Sequence, residues 1–169
     1  LGTNNEDLSA LLHIDATTYT NVPGGLVHWT FDGDANYNAA SGDATVTITK
    51  ADPIITVTPY SVPFDGNSHT ATGTAKGVKN EDLAGLDLTG TTHTAAGTYN
   101  NDPWTFTDET GNYNNASGTV NDAIGKINAT ITVTGFSGTY DGDPHGVVSS
   151  SALGTNNEDL SALLHIDAT

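Results

Sequence analysis

Some side chains in this 169-residue chain stand at spacings that could do chemistry. Asp32-Gly33-Asp34-Ala35-Asn36 offers oxygen ligands at alternate positions, as a calcium loop does, but lacks the closing bidentate glutamate of an EF-hand. Asp65-Gly66 with His69, and Asp141-Gly142 with His145, set a carboxylate and an imidazole four residues apart around a glycine. Such a pair could ligate a metal, but Asp-Gly is first a tight-turn signal, with the histidine capping or packing on the turn. Turn chemistry is therefore the first reading of all these motifs, and calcium at Asp32, Asp34 and Asn36 is the one cofactor considered. Lys50 and Lys126 occupy matching positions and raise a Lys-to-Asn isopeptide bond, which needs a lysine buried beside an asparagine and a carboxylate. Lysines at strand ends are more often solvated, and that is the expectation here. An ester from Thr to Gln is excluded because the chain has no Gln. Asn115-Ala116-Ser117 and Asn128-Ala129-Thr130 match the glycosylation sequon. No nucleophile with a neighbouring base, no phosphate-cradling glycine loop and no recognisable acid/base pair of carboxylates emerges, so the chain reads as a non-enzyme without catalytic residues.

Strands must position these groups. Residues 44–49 (ATVTIT), 55–58 (ITVT) and 127–134 (INATITVT) alternate apolar and hydroxyl side chains, the period of a half-buried strand. Val27, Trp29 and Phe31 alternate likewise, as do Trp104 and Phe106, which makes Trp29, Phe31, Trp104 and Phe106 the expected core anchors. Gly, Asn, Asp and Pro clusters separate the runs as turns. One segment breaks the rhythm. In residues 157–164 (NEDLSALL) an Asn cap, early acidic residues and leucines at i, i+3 and i+4 predict a helix of about two turns. Its counterpart over 80–88 carries Gly85, so one irregular or helical turn per unit is expected. Asp122 stands in register with Val46, which predicts either a bulge turning the carboxylate outward or an edge strand.

The elements recur. Residues 1–17 (LGTNNEDLSALLHIDAT) return unchanged 152 positions later as residues 153–169. A looser repeat lies inside that period, where Val57-Thr58 through His69 aligns with Val133-Thr134 through His145 at an offset of 76. Asn112-Tyr113-Asn114 answers Asn36-Tyr37-Asn38, and Lys126 answers Lys50. Two diverged units follow: unit A over 51–126, and unit B split into its rear, 1–50, and its front, 127–169. A module copied at fixed spacing serves by length and neighbour contact more often than by a single active site.

Composition agrees with an all-β extracellular chain. Cys and Met are absent, and the apolar fraction of 36% suits small cores. No run approaches the roughly 20 apolar residues of a membrane span, so no membrane insertion is expected. The formal charge of −16, from 20 acidic residues against 4 basic ones, makes nucleic acid and anionic lipid poor partners.

The residues also carry a resemblance. Thr139-Tyr140-Asp141-Gly142-Asp143-Pro144-His145, its partner Phe64-Asp65-Gly66-Asn67-Ser68-His69, and the unit ending Phe31-Asp32-Gly33-Asp34-Ala35-Asn36-Tyr37-Asn38 through Thr47-Ile48-Thr49-Lys50-Ala51-Asp52-Pro53 together resemble MBG-type (YDG-type) repeats. These are similar to bacterial Ig-like repeats. The likeness covers nearly the whole chain and departs at Asn67-Ser68, where the family usually has a proline before the histidine. It implies large secreted or surface-anchored bacterial proteins in which such modules form the shaft of an adhesin, and it implies no catalytic residue.

The expected architecture is thus tandem small Ig-like β-sandwich modules, with β-grasp-like modules as the alternative. The expected function is a rigid spacer in an adhesin stalk or surface fibre, whose partners are neighbouring copies of the same repeat. Two alternatives belong to other classes. Tyr37, Tyr99 and Tyr113 would be the aromatics of a glycan-binding module. A split unit B completed between molecules would make a head-to-tail, self-associating filament.

Overall fold

The period-two runs resolve into eleven strands in the computed structural model, which describes residues 1–167. They are β1 (Leu12–Ile14), β2 (Gly24–Phe31), β3 (Ala40–Thr47), β4 (Ile54–Thr58), β5 (Ser61–Pro63), β6 (Thr72–Lys76), β7 (Leu86–Asp87), β8 (Gly97–Phe106), β9 (Ala116–Gly125), β10 (Thr130–Gly135) and β11 (Val147–Leu153). The chain is all-β and carries several separate sheets, with single 3-10 turns at Ser9–Leu11, Thr89–Thr91 and Ser161–Leu163. No helix among the described residues is long and apolar enough to cross a membrane. Contacts divide the chain into two compact bodies. The first comprises Leu1–Ile55, Ala75–Gly85 and Phe106–Ala116, and the second Thr56–Thr74, Leu86–Thr105 and Ser117–Thr169.

In the first body, β1, β2 and β3 form an antiparallel sheet in that order. Ile14 lies opposite Trp29, and Trp29 lies opposite Gly42. The missing side chain at Gly42 makes room for the indole, since a Cβ there would enter the ring. Val27, Ala75, Phe106 and Tyr113 are its buried apolar residues.

In the second body, four strands run in the order β5-β9-β8-β7, with β5 parallel to β9 and Val62 opposite Ile124. Trp104 covers Gly118 just as Trp29 covers Gly42. β10 and β11 form a separate antiparallel hairpin with a register shift at Thr134 and Gly135. The core residues are Ala71, Ile124 and Ala152, joined by buried Thr91, Asp102 and Asp122.

The structure corrects three expectations. The two-turn helix over 157–164 is a single 3-10 turn, because Asn157 adopts a left-handed conformation (φ 61°) and Glu158 folds back onto the loop. Asp122 points neither outward nor along an edge. β9 is flanked by β5 and β8, and the side chain is 1% exposed. Of the four expected anchors, only Phe106 is fully buried; Trp29, Phe31 and Trp104 are half-buried, each indole covering a glycine on one side only and Trp29 and Phe31 bordering an open groove.

Candidate functional site

The sequence Gly-x-x-Asn-Glu occurs three times and folds the same way each time. At 2–6, 77–81 and 154–158 the glycine N–H donates to the glutamate carbonyl, and the asparagine N–H returns to the glycine carbonyl. The asparagines are left-handed, with φ of 67°, 63° and 61° at Asn5, Asn80 and Asn157. One carboxylate oxygen of each glutamate then accepts a loop N–H, from Asn4, Lys79 or Asn156. In two copies the other oxygen takes a tyrosine hydroxyl from over thirty residues away, Tyr37 on Glu6 and Tyr113 on Glu81. The hydroxyl in turn accepts the N–H of Thr3 or Val78. The tyrosine bond is the main reason the carboxyls of Glu6 and Glu81 are held below the ordinary range, and the same bond raises the Tyr113 hydroxyl. Tyr113 is buried and Tyr37 half-buried and bonded, which removes Tyr113 from the glycan-platform candidates. Tyr99 is half-buried too, its ring stacked on His93 at 3.5 Å.

The Asp-Gly-x-x-His segments are turns closed by their own side chains. Gly66 and Gly142 take positive φ, 79° and 88°, where a Cβ would be strained. His69 Nε2 lies 3.0 Å from Asp65 Oδ1, and His145 Nε2 lies 2.8 Å from Asp141 Oδ1. The Asn67 N–H, then its side chain and His69, hold Asp65 down at about 2, and the Asp143 N–H with His145 lowers Asp141. Phe136 stacks on His145 at 3.6 Å, and Tyr60 lies tilted against His69 at 5.7 Å. Three more histidines pair with aspartates, His13 with Asp32 at 2.8 Å, His28 with Asp43 at 2.9 Å and His93 with Asp102 at 2.9 Å.

The three residues read as calcium ligands do not converge. Asp32 is turned to His13, and Asp34 Oδ1 accepts the N–H groups of Asn36 (2.7 Å) and Tyr37 (2.9 Å) in a local turn. Asp108 does the equivalent work in unit A, accepting the N–H of Thr110 on one oxygen and of Tyr113 on the other, each at 2.9 Å. Partial burial would raise the Asp108 carboxyl, but the N–H groups of Tyr113, Thr110 and Gly111 outweigh it and bring it to about 2. Among the described residues, no group of three or more His, Asp or Glu side chains could hold a metal ion.

A polar contact between unit A and the rear of unit B lies within the first body. Residue 51 opens unit A, and Ala51 pairs in parallel with Tyr113, taking the Asn114 N–H and giving its own to Asn112. Asn114 Nδ2 donates to Asp52 at 2.8 Å. Asn112 reaches into the rear of unit B, its Oδ1 accepting the Val22 N–H at 2.9 Å and its Nδ2 donating to Asn21 at 3.1 Å. Sequence reasoning matched Asn112-Tyr113-Asn114 to Asn36-Tyr37-Asn38 but gave neither residue a role. The role is visible only once residues about ninety apart meet.

Asp122 was also misread. Its Oδ1 accepts the Tyr60 N–H at 2.9 Å, and its Oδ2 is buried with no partner. Burial, then the charges of Asp122 and Asp102, pushes the Tyr60 hydroxyl up, and that hydroxyl donates to the Thr91 carbonyl at 3.2 Å. These contacts fix the entry of β5. They bring together no nucleophile and base.

Compared with family models, curated proteins and solved structures, the chain finds no match in any of the three.

Proposed function

We propose that the chain is a non-catalytic structural module of an extracellular bacterial stalk or fibre, a spacer that holds a binding domain away from the cell. The observation that carries this reading is the clamp at residues 51–52, where Asn112 and Asn114 tie the start of unit A and the rear of unit B into one hydrogen-bonded set with no linker between them. Flexible connections are rich in glycine and serine and lack such bonds. The junction here is Thr49-Lys50-Ala51-Asp52-Pro53, with Pro53 restricting the backbone further.

Other features support the reading. The resemblance to MBG-type (YDG-type) repeats rests on the Asp-Gly-x-x-His turns and the unit ending, and modules of that kind form adhesin shafts. Side chains at the recurring loops are spent on their own backbone, as in a scaffold. The strongly acidic surface keeps extended copies soluble and apart. Small-angle scattering of the chain lengthened by one further 152-residue period tests the idea. A cross-section that stays constant while the maximum dimension grows in proportion to length is the expected result, and the curve of a freely flexing string of beads would sink it.

A further inference from the structure

Asp-Pro peptide bonds occur in the chain at 52–53, 102–103 and 143–144. Such a bond has its own chemistry. After other aspartates the next backbone N–H attacks the side chain to form a succinimide, but the prolyl nitrogen carries no hydrogen. The carboxylate is left with one near electrophile, its own main-chain carbonyl, and the group expelled is a secondary amine. Whether the attack occurs depends on what else holds the carboxylate and on what protonates the nitrogen.

Asp52 and Asp102 are engaged elsewhere. Asp52 Oδ1 accepts Asn114 Nδ2 at 2.8 Å, and Asp102, buried within β8, has Oδ2 on His93 Nε2 at 2.9 Å. Asp143 differs on each count. It is exposed in the turn between β10 and β11, and its own N–H is tied to Asp141 Oδ1 at 3.0 Å, whereas among the described residues its carboxylate has no partner. Two residues on, His145 is fixed by Asp141 on Nε2 at 2.8 Å and by Phe136 stacked on its ring at 3.6 Å. That leaves Nδ1 for the prolyl nitrogen next to it in the chain. The exposure belongs to the turn itself, since Asn67 and Ser68, at the same places in unit A, are exposed as well.

We propose that the 143–144 bond is a self-cleavage site, at which the Asp143 carboxylate displaces Pro144 and leaves an acylating chain end. A carboxylate oxygen of Asp143 bonds to the main-chain carbonyl carbon of the same residue and closes a five-membered cyclic anhydride. The C–N bond breaks, its electron pair stays on the Pro144 nitrogen, and that nitrogen takes a proton from the His145 imidazolium. Residues 1–143 then end in the anhydride, and residues 144–169 begin with a secondary amine. Water opens the anhydride to two carboxyl groups, and a primary amine opens it to one carboxyl and one amide. With 4 basic residues against 20 acidic ones in the chain, that amine comes chiefly from another surface. The cut is a single turnover within one chain, and it does not depend on the spacer role.

The step needs an ionised carboxylate and a protonated imidazole together, which ordinary side chains provide best at about pH 5. The charged groups around the imidazole are acidic, with Asp141 facing it from the turn and Asp167 bordering the same groove, while Phe136 covers its ring. Keeping nucleophile, carbonyl and proton donor in one turn supplies the orientation that an unfolded chain lacks.

The test incubates the full chain at about pH 5, folded and in urea, with and without a biotinylated primary amine, and weighs the fragments by mass spectrometry. The folded chain should cut at 143–144 about tenfold or more faster than at 52–53 or 102–103, and unfolding should erase most of that preference. Part of the 1–143 fragment should carry the amine on Asp143. Asp143→Asn should abolish the adduct, while His145→Gln should slow the cut about tenfold or more and flatten its decline toward neutral pH. Melting curves verify that each variant is folded. A folded chain that stays intact, equal cutting at the three Asp-Pro bonds, an undiminished preference in urea, a cut fragment without adduct, or a His145→Gln rate and pH profile like those of the unmodified chain overturns the proposal.

Discussion

The hairpin strands β8 and β9 of unit A and β2 and β3 of unit B start from the same local design and end in different states. Both lay a tryptophan over a glycine, Trp104 on Gly118 and Trp29 on Gly42, and both end in a loop whose tyrosine reaches a glutamate. In unit A strands flank the pair on both sides, and Phe106 and Ile124 fall to 1% and 2% exposure. In unit B only β1 flanks it, and Phe31 and Ile48 remain half-buried. Alternation decides which face an apolar side chain takes. A neighbouring strand decides whether that face becomes a core.

The flanking strand itself is made differently. β1 follows the 3-10 turn Ser9–Leu11, whereas β7 precedes the turn Thr89–Thr91. Extra residues in unit A between Leu83 and Leu88 allow this, and they split one aspartate's work in two. In unit B Asp159 lies opposite Leu153 and also accepts the Ser161 N–H. In unit A Asp82 lies opposite Lys76, with an ion pair at 2.6 Å, while Asp87 accepts the Thr89 N–H.

The largest test of the comparison is truncation of the two phenylalanines. Phe106→Ala should cost about 3–5 kcal/mol in urea unfolding, and Phe31→Ala no more than about half of that in the dilute chain. Equal costs at the two sites would show that the flanking strands do not set the burial. Next comes the seam residue that differs. Asp122→Val leaves the Tyr60 N–H without its acceptor and should cost about 1–3 kcal/mol. Val46→Asp, at a half-buried position where no backbone N–H loses its acceptor, should cost less, about 1 kcal/mol.

The smallest effect is acid sensitivity. Asp65 and Asp108 are lowered from 3.8 to about 2, so the unfolded chain binds their protons first as pH falls. Their contribution is therefore fully present above about pH 4 and is lost as pH drops through about 2. The melting temperature should be level with respect to these groups above pH 4 and decline below it. Asp108→Asn should flatten the decline, and a decline left unchanged in that variant would show that other groups carry the acid sensitivity.

Much of the strand layout was legible because alternation and turn residues are local signals. The runs at 44–49, 55–58 and 127–134 fall on or beside β3, β4 and β10, and Asp65-Gly66 and Asp141-Gly142 do make turns. The helix over 157–164 failed because leucine spacing was read without asking where the Glu158 carboxylate goes. Once it binds the Asn156 N–H, the backbone is committed to a loop. The role of Asn112 and the burial of Asp122 were hidden because each depends on residues at least sixty positions away. A polar residue inside an apolar alternation marks a special place without saying which.

In a chain made of near-copies, the buried carboxylate of unit A sets its own front half apart from that of unit B. The Tyr60 backbone has an acceptor at Asp122, whereas Val46 at the matching position of unit B offers none. If the front of unit A were seated on the rear of unit B, that N–H would be stranded against a valine. If the front of unit B were seated on the rear of unit A, Phe136 would meet a buried charge. The stranded N–H costs about 1–3 kcal/mol, a discrimination of roughly five- to 150-fold. Asp122 thus leaves one oxygen unpaired to hold the Tyr60 N–H with the other, and two otherwise interchangeable halves acquire different fits.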